Sequence, residues 1–152
     1  MIQQDNSSLE AAIEQSRAAC EALTAEEDTL KREILTHAGN RWSLGVVHAL
    51  GVAGRPMRHA ELARQLGAVT QRMLTRTLRQ LERDGLIARR DFGEVPPRVE
   101  YRPTSLGEGM LIGMIPLWNW VMANGEEFRH ARIAFDHGTT ARSHTDESRE
   151  EV

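Results

Sequence analysis

Between Thr70 and Leu86 the chain reads TQRMLTRTLRQLERDGL. Gln71, Arg72, Thr75, Arg76 and Arg79 fall at i, i+1, i+4, i+5 and i+8, one side of an α-helix, and no carboxylate follows until Glu82. Surface helices ordinarily mix their charges, because opposite signs four residues apart support the helix. An unbalanced cationic stripe suits a polyanion. Arg bonds guanine bidentately, Gln bonds adenine, and Thr bonds a phosphate or touches a thymine methyl. Thr70 is placed to cap the helix, and the first-turn N–H groups with the helix dipole can hold a phosphate. The plainer alternative is a solvated basic face.

Other chemistry is sparse. His130 and His137 share a helical face beside Asp136, but neither their spacing nor that of the other histidines matches a zinc motif. There is no glycine-rich phosphate loop and no nucleophile–base pair, so no metal, cofactor or catalysis is expected. The single cysteine, Cys20, excludes an internal disulfide framework and fits a reducing compartment.

The 152 residues suit one domain of ordinary size. The net charge of −3 hides a pattern. Residues 41–102 carry twelve basic and six acidic side chains, a local +6, between flanks of −5 and −4. A basic middle inside an acidic frame is the footprint of a polyanion-binding module, though chance clustering also produces it. The opening MIQQDNSSLE has neither the basic nor the apolar region of a signal peptide. The longest apolar run, Met110 to Ala123, is broken by Gly113, Pro116 and Asn119 and falls short of the ~20 residues that span a bilayer.

The elements that must position the cationic stripe follow from periodicity. Leu9, Ile13, Ser16, Cys20, Leu23, Glu27, Leu30 and Ile34 step by four and three, a heptad seam with polar members. Thr24 followed by Glu27 reads as a capping box, which would split the segment into two helices before HAGNR ends it at Gly39. WSLGVVHAL is a short helix closed by Gly51 and Gly54, and HAELARQLG is another. In the cationic helix, Leu74, Leu78 and Leu81 form a separate apolar stripe toward the core. LIARRDF and VEYRPT alternate as strands, joined by GEVPPR as a hairpin loop. A long helix starts at Ser105, breaks at Gly125, and continues as EEFRHARIAF. From Gly138 the tail is polar and reads as disordered.

Three helices and a hairpin in that order make a winged helix-turn-helix. The fold class is therefore mainly α with a small β-hairpin, with additional N- and C-terminal dimerisation helices. Residues 1–40 form the N-terminal dimerisation segment, 41–104 the DNA-binding domain, 105–137 the C-terminal helices and 138–152 the tail. The hairpin brings Arg89, Arg90, Arg98 and Arg102 around Pro96-Pro97, where a stiff loop can lie on a phosphate backbone or enter a narrow minor groove. Alternation puts Arg89 and Arg90 on opposite faces, so one of them is expected on DNA, and Arg90 and Arg98 are assigned to the wing contact. Tyr101 and Trp42 read as packing residues.

NRWSLGVVHAL, RHAELARQLGAVTQRMLTRTLRQLERDGLIARR and EVPPRVEYRPTSLGEGM together resemble the HxlR-type transcriptional regulators of bacteria and archaea, from about Asn40 to Trp120. The resemblance implies a cytoplasmic homodimer on pseudo-palindromic double-stranded DNA, with the terminal helices forming the dimer interface. It maps DNA-facing positions onto Thr70, Gln71, Arg72, Thr75, Arg76 and Arg79. Interface candidates are Leu9, Ile13 and Leu23 on the seam and Met110, Met114, Leu117, Trp118 and Val121 at helical spacing. That second stripe reads equally as intramolecular core, or, with Trp120 and Met122, as a pocket for a flat aromatic effector. Some regulators of this type sense oxidants or electrophiles through an N-terminal cysteine. Cys20 stands 22 positions before Trp42, farther than is usual, with only Arg17 as a nearby cation. It is a redox candidate, against the alternative of an inert buried thiol. The expected function is a sequence-specific DNA-binding regulator of the repressor kind, answering a small-molecule or redox signal. The alternative is a winged-helix module that docks an acidic protein partner.

Overall fold

In the computed structural model the described residues are 6–147, with side chains described from 8 to 137. The chain forms two compact units, one ending at Leu111 and the other starting at Ile112.

In the first unit, α1 (Asn6–Glu21) and α2 (Ala25–Gly39) are separated where the capping box predicts. Thr24 Oγ1 accepts from Glu27 N–H at 3.2 Å, and the Glu27 carboxylate accepts from Thr24 N–H at 2.8 Å. Asn40 then caps α3 (Arg41–Ala53) by accepting from the N–H groups of Trp42 and Ser43. Gly51 stays inside α3, and the left-handed Gly54 ends it.

A two-residue strand, β1 (Met57–Arg58), precedes α4 (His59–Leu66) and α5 (Gln71–Arg83). The hairpin strands are β2 (Ile87–Asp91) and β3 (Val99–Pro103). The sheet is antiparallel, in the order β1-β3-β2, so β1 adds a third strand to the expected hairpin. Register pairs Met57 with Tyr101 and Ile87 with Pro103.

Val46, Val47 and Leu50 of α3, Leu62 of α4, Leu74, Leu78 and Leu81 of α5, and Met57, Leu86 and Ile87 form one core. Burying such side chains supplies roughly 1.5–3 kcal/mol each before entropy is counted. The three leucines of α5 fix its rotation, and so decide which of its residues face outward.

One buried polar cluster interrupts this core. His37, at the end of α2, is 6% exposed. Its Nε2 lies 2.7 Å from Asp84 Oδ2 and its Nδ1 3.1 Å from Ser43 Oγ. A buried polar ring persists where its nitrogens are bonded, and both are.

α6 (Ser105–Ala123) begins in the first unit, where Gly107 packs against the backbone of Leu86. Among the described residues of the second unit no side chain is buried. Trp120 meets Phe128 edge-on at 5.6 Å, and Asn124 Nδ2 donates to the Trp120 carbonyl at 2.7 Å. α7 runs Gly125–Glu147. It therefore continues into the 138–152 tail that polarity marked as disordered: residues 138–147 are helical, and 148–152 lie outside the described residues. The frayed start expected for Met1 to Asn6 also falls mostly outside them.

Candidate nucleic-acid interface

The sequence around α5 builds its own presentation. Thr70 has extended backbone (φ −76°, ψ 153°), and its Oγ1 accepts from Met73 N–H at 3.2 Å. That hydroxyl is therefore the cap, and its hydrogen remains to donate outward. Helical geometry of about 100° per residue puts Gln71, Thr75, Arg79, Arg72 and Arg76 within an arc of roughly 140°, away from the buried leucines. All five are exposed. Gln71, Arg72, Thr75, Arg76, Arg79, Gln80 and Arg83 line one open trough along the helix.

Arg72, Arg76 and Arg79 make no hydrogen bond or ion pair with the chain among the described residues. Gln80 and Arg83 were not singled out by sequence reading. Arg83 stands four residues after Arg79 and seven after Arg76, and that spacing is the signal that would have found it. Thr75 carries a second unforeseen contact, with His59 Nε2 of α4 at 3.2 Å from its Oγ1.

The wing departs from expectation at two arginines. On the face toward α5, Arg89 and Tyr101 pair in register and share a hollow with Thr75, Arg79 and Glu82. Arg89 reaches Asp91 at 2.9 Å, and Asp91 also accepts from Gly93 N–H at 3.1 Å. The Gly93 N–H, then Arg89, holds the Asp91 carboxyl below its ordinary range, and Asp91 in turn raises Arg89. Gly93 takes φ +64° at this turn.

Arg90, assigned to the wing contact, lies on the opposite sheet face, paired in register with Glu100. Arg98 is not an unbalanced cation. It bonds Glu100 at 2.8 Å, approaches Glu94 at 3.7 Å, and stacks on Phe92 at 4.2 Å. Arg90 covers the same ring at 4.5 Å. One-residue alternation separates Arg89 from Arg90, but it does not tell which side faces α5. The tip itself presents Val95, 96% exposed, beside Pro96 and Pro97.

The dimer candidates divide. Leu9 and Ile13 are 47% and 57% exposed on α1, while Leu23 is half-buried. Leu117, Trp118 and Val121 are exposed. Met110 instead packs half-buried against the core of the first unit, which makes it an intramolecular residue there. Met114 is half-buried. Trp42 is half-buried under the Arg41 guanidinium at 4.9 Å. Cys20 is exposed, so the reading of a thiol buried within the chain does not hold. A cation distant in sequence reaches it: Lys31 Nζ lies 3.6 Å from Sγ while also pairing with Asp28. Among the described residues no cluster of three metal-ligating side chains occurs, and no helix is long and apolar enough to cross a membrane.

A short three-helix core, a β-hairpin wing and an outward cationic third helix define a winged helix-turn-helix DNA-binding protein. The chain belongs to the HxlR-like helix-turn-helix family, which it matches over residues 37–129. It is similar to the HTH-type transcriptional regulator YtfH of Escherichia coli (strain K12), 36% identical over 98 residues, 64% of this chain and 76% of that one. It is also similar to the regulator BH0655 of Halalkalibacterium halodurans, at 34% over 98 residues, covering 64% of this chain and 86% of the relative. Among solved structures, the ytfH regulator of Salmonella typhimurium aligns at a TM-score of 0.59 and 34% identity, over 67% of this chain and 89% of that one. The redox regulator HypR in its reduced form aligns at 0.58 and 30% identity, over 64% and 94%. The chain is thus a transcriptional regulator of the helix-turn-helix type.

Proposed function

We propose that this regulator binds a pseudo-palindromic operator as a homodimer and acts as a repressor in the cytoplasm. The observation that carries the reading is the α5 surface: Arg72, Arg76 and Arg79 face outward with no counter-charge from the chain among the described residues. α5 enters the major groove, and Gln71, Arg72, Thr75, Arg76 and Arg79 meet base edges and phosphates. Thr70 and the first-turn N–H groups hold a phosphate. Arg89 lies on the α5 side of the wing and joins this surface on exchanging Asp91 for phosphate.

Dimerisation is supported by the apolar side chains left exposed on α1, α6 and α7, including Ile13, Leu117 and Phe135. Large apolar side chains left to solvent on each of these helices favour an interface there. A two-fold axis would set the two α5 helices on half-sites about 34 Å apart. The signal is proposed to be oxidation or electrophile attack at Cys20, which is exposed beside the Lys31 ammonium. The structural relative HypR is described as a redox regulator in oxidised and reduced forms, which favours that signal.

A gel shift with random-sequence duplex tests the reading. A band that weakens steeply with added salt is expected. A module that docks an acidic protein instead would give no such band, and its absence would replace this function by that one.

A further inference from the structure

Asp84 sits at the C-terminus of α5, where the helix dipole disfavours a carboxylate. Two hydrogen-bond donors compete for it. Its Oδ2 is 2.7 Å from His37 Nε2, and its Oδ1 is 3.8 Å from Arg83 Nε. The first is a hydrogen bond and the second lies beyond hydrogen-bond range. A carboxylate can only accept, so Nε2 carries the hydrogen, and Nδ1 bonds the Ser43 hydroxyl at its back. Ser43 is 2% exposed and its N–H is tied to Asn40 Oδ1 at 3.0 Å, which holds the imidazole from behind. The Arg83 side chain, by contrast, is 77% exposed and lines the trough with Arg72, Arg76 and Arg79.

We infer that His37 is a positioning residue which, by engaging Asp84, keeps that carboxylate from drawing Arg83 into a hydrogen-bonded pair and so leaves the Arg83 guanidinium able to reach a DNA phosphate. The inference rests on the proposed use of α5 as a DNA-binding helix. His37 belongs to α2, Ser43 to α3, and Asp84 and Arg83 to the end of α5. The cluster therefore links the N-terminal helical segment to the charge of the DNA-facing surface. When α2 withdraws His37, the carboxylate loses its buried partner. The flexible guanidinium next to it is then the nearest replacement, and a charge-assisted pair forms. Repositioning one helix thus withdraws one guanidinium from the interface without moving α5.

The test uses the full chain with four sequences: wild type, His37→Leu, Asp84→Asn and His37→Leu/Asp84→Asn. Salt-dependent affinity for a random-sequence duplex is measured for each, and Arg83 Nε–H exchange is followed by NMR without DNA. His37→Leu is expected to bind about threefold to tenfold more weakly, with a salt slope shallower by about one per bound protomer. Its Arg83 Nε–H should exchange more slowly. The double variant should recover both, because no carboxylate remains to capture Arg83. Asp84→Asn alone keeps a neutral bond to His37 and should bind at least as steeply as wild type, which preserves the test if His37→Leu does not fold. A double variant that stays weak and shallow, or a shallower slope in Asp84→Asn, overturns the inference. If wild type shows no salt-dependent binding, the DNA reading fails. The exchange rates then decide alone: an Arg83 rate unchanged by His37→Leu or, where that variant does not fold, slowed by Asp84→Asn, refutes the competition for Asp84.

Discussion

Adding one methyl group at Gly107 tests how α6 is seated on the wing. A Cβ there falls onto the Leu86 carbonyl oxygen, inside contact distance, and 3.1 Å from the carbonyl carbon. That carbonyl cannot swing aside, because it accepts from Thr104 N–H at 3.1 Å, and Leu86 N–H donates to the Leu81 carbonyl at 2.9 Å. Overpacking of this kind costs about 1–3 kcal/mol, and the fixed obstacle favours the upper end. Replacing Gly by Ala in a helix returns up to about 1 kcal/mol. Gly107→Ala should therefore lose roughly 2 kcal/mol net, or about 4–8 °C in Tm for a chain of this size. Gly109, two positions beyond on the same helix, has nothing within 4 Å of its added Cβ, so Gly109→Ala should be neutral or gain up to about 1 kcal/mol. Urea unfolding of both variants supplies the comparison. Equal stability of the two would refute the close approach of α6 to the start of β2.

Arg76→Ala should cost about 1–3 kcal/mol in binding, confined to one operator position if Arg76 reads a base; a uniform loss over all duplexes assigns it to phosphate, and no loss removes it from the interface. The acid side of the stability curve should carry the Thr24 cap. The Thr24 N–H, then its hydroxyl, lowers the pKa of Glu27, and Lys31 first, then Arg32, lowers that of Asp28. A lowered folded-state pKa contributes stability that is present above the unfolded values of 4.5 and 3.8 and is lost as pH falls through the folded ones. Thermal melts should therefore decline below pH 4.5, and less so in Thr24→Ala, whereas a Thr24→Ala curve parallel to wild type would contradict the cap's share. Oxidised wild type should show a dimer band on non-reducing electrophoresis that Cys20→Ser lacks; without that band, a Cys20–Cys20 bridge is excluded.

Local signals carried most of the architecture. The leucines at 74, 78 and 81 fix the buried side of α5, so the arginines between them face outward by elimination. The Thr24 box and the Thr70 cap place helix starts because capping is decided within three residues. What the chain did not disclose depends on distance. β1 is two residues long and has no period to read. Arg98 looks free in sequence because its neutralising carboxylate, Glu100, is two residues along a strand, where side chains share a face only once the strand is placed. The His37–Asp84 bond spans 47 positions, and Lys31 reaches Cys20 across 11, so neither has a local signature.

The proposed DNA binding stands on cations of α5 that exchange their counterions for phosphates. Arg72, Arg76, Arg79 and Arg83 of two protomers would neutralise about eight phosphates, each adding about −0.9 to the slope of log affinity against log salt. Fluorescence anisotropy of a labelled duplex across a salt series measures that slope directly. The proposed dimer predicts a value of roughly −7. A slope near zero would mean that the arginine face of α5 does not lie against DNA.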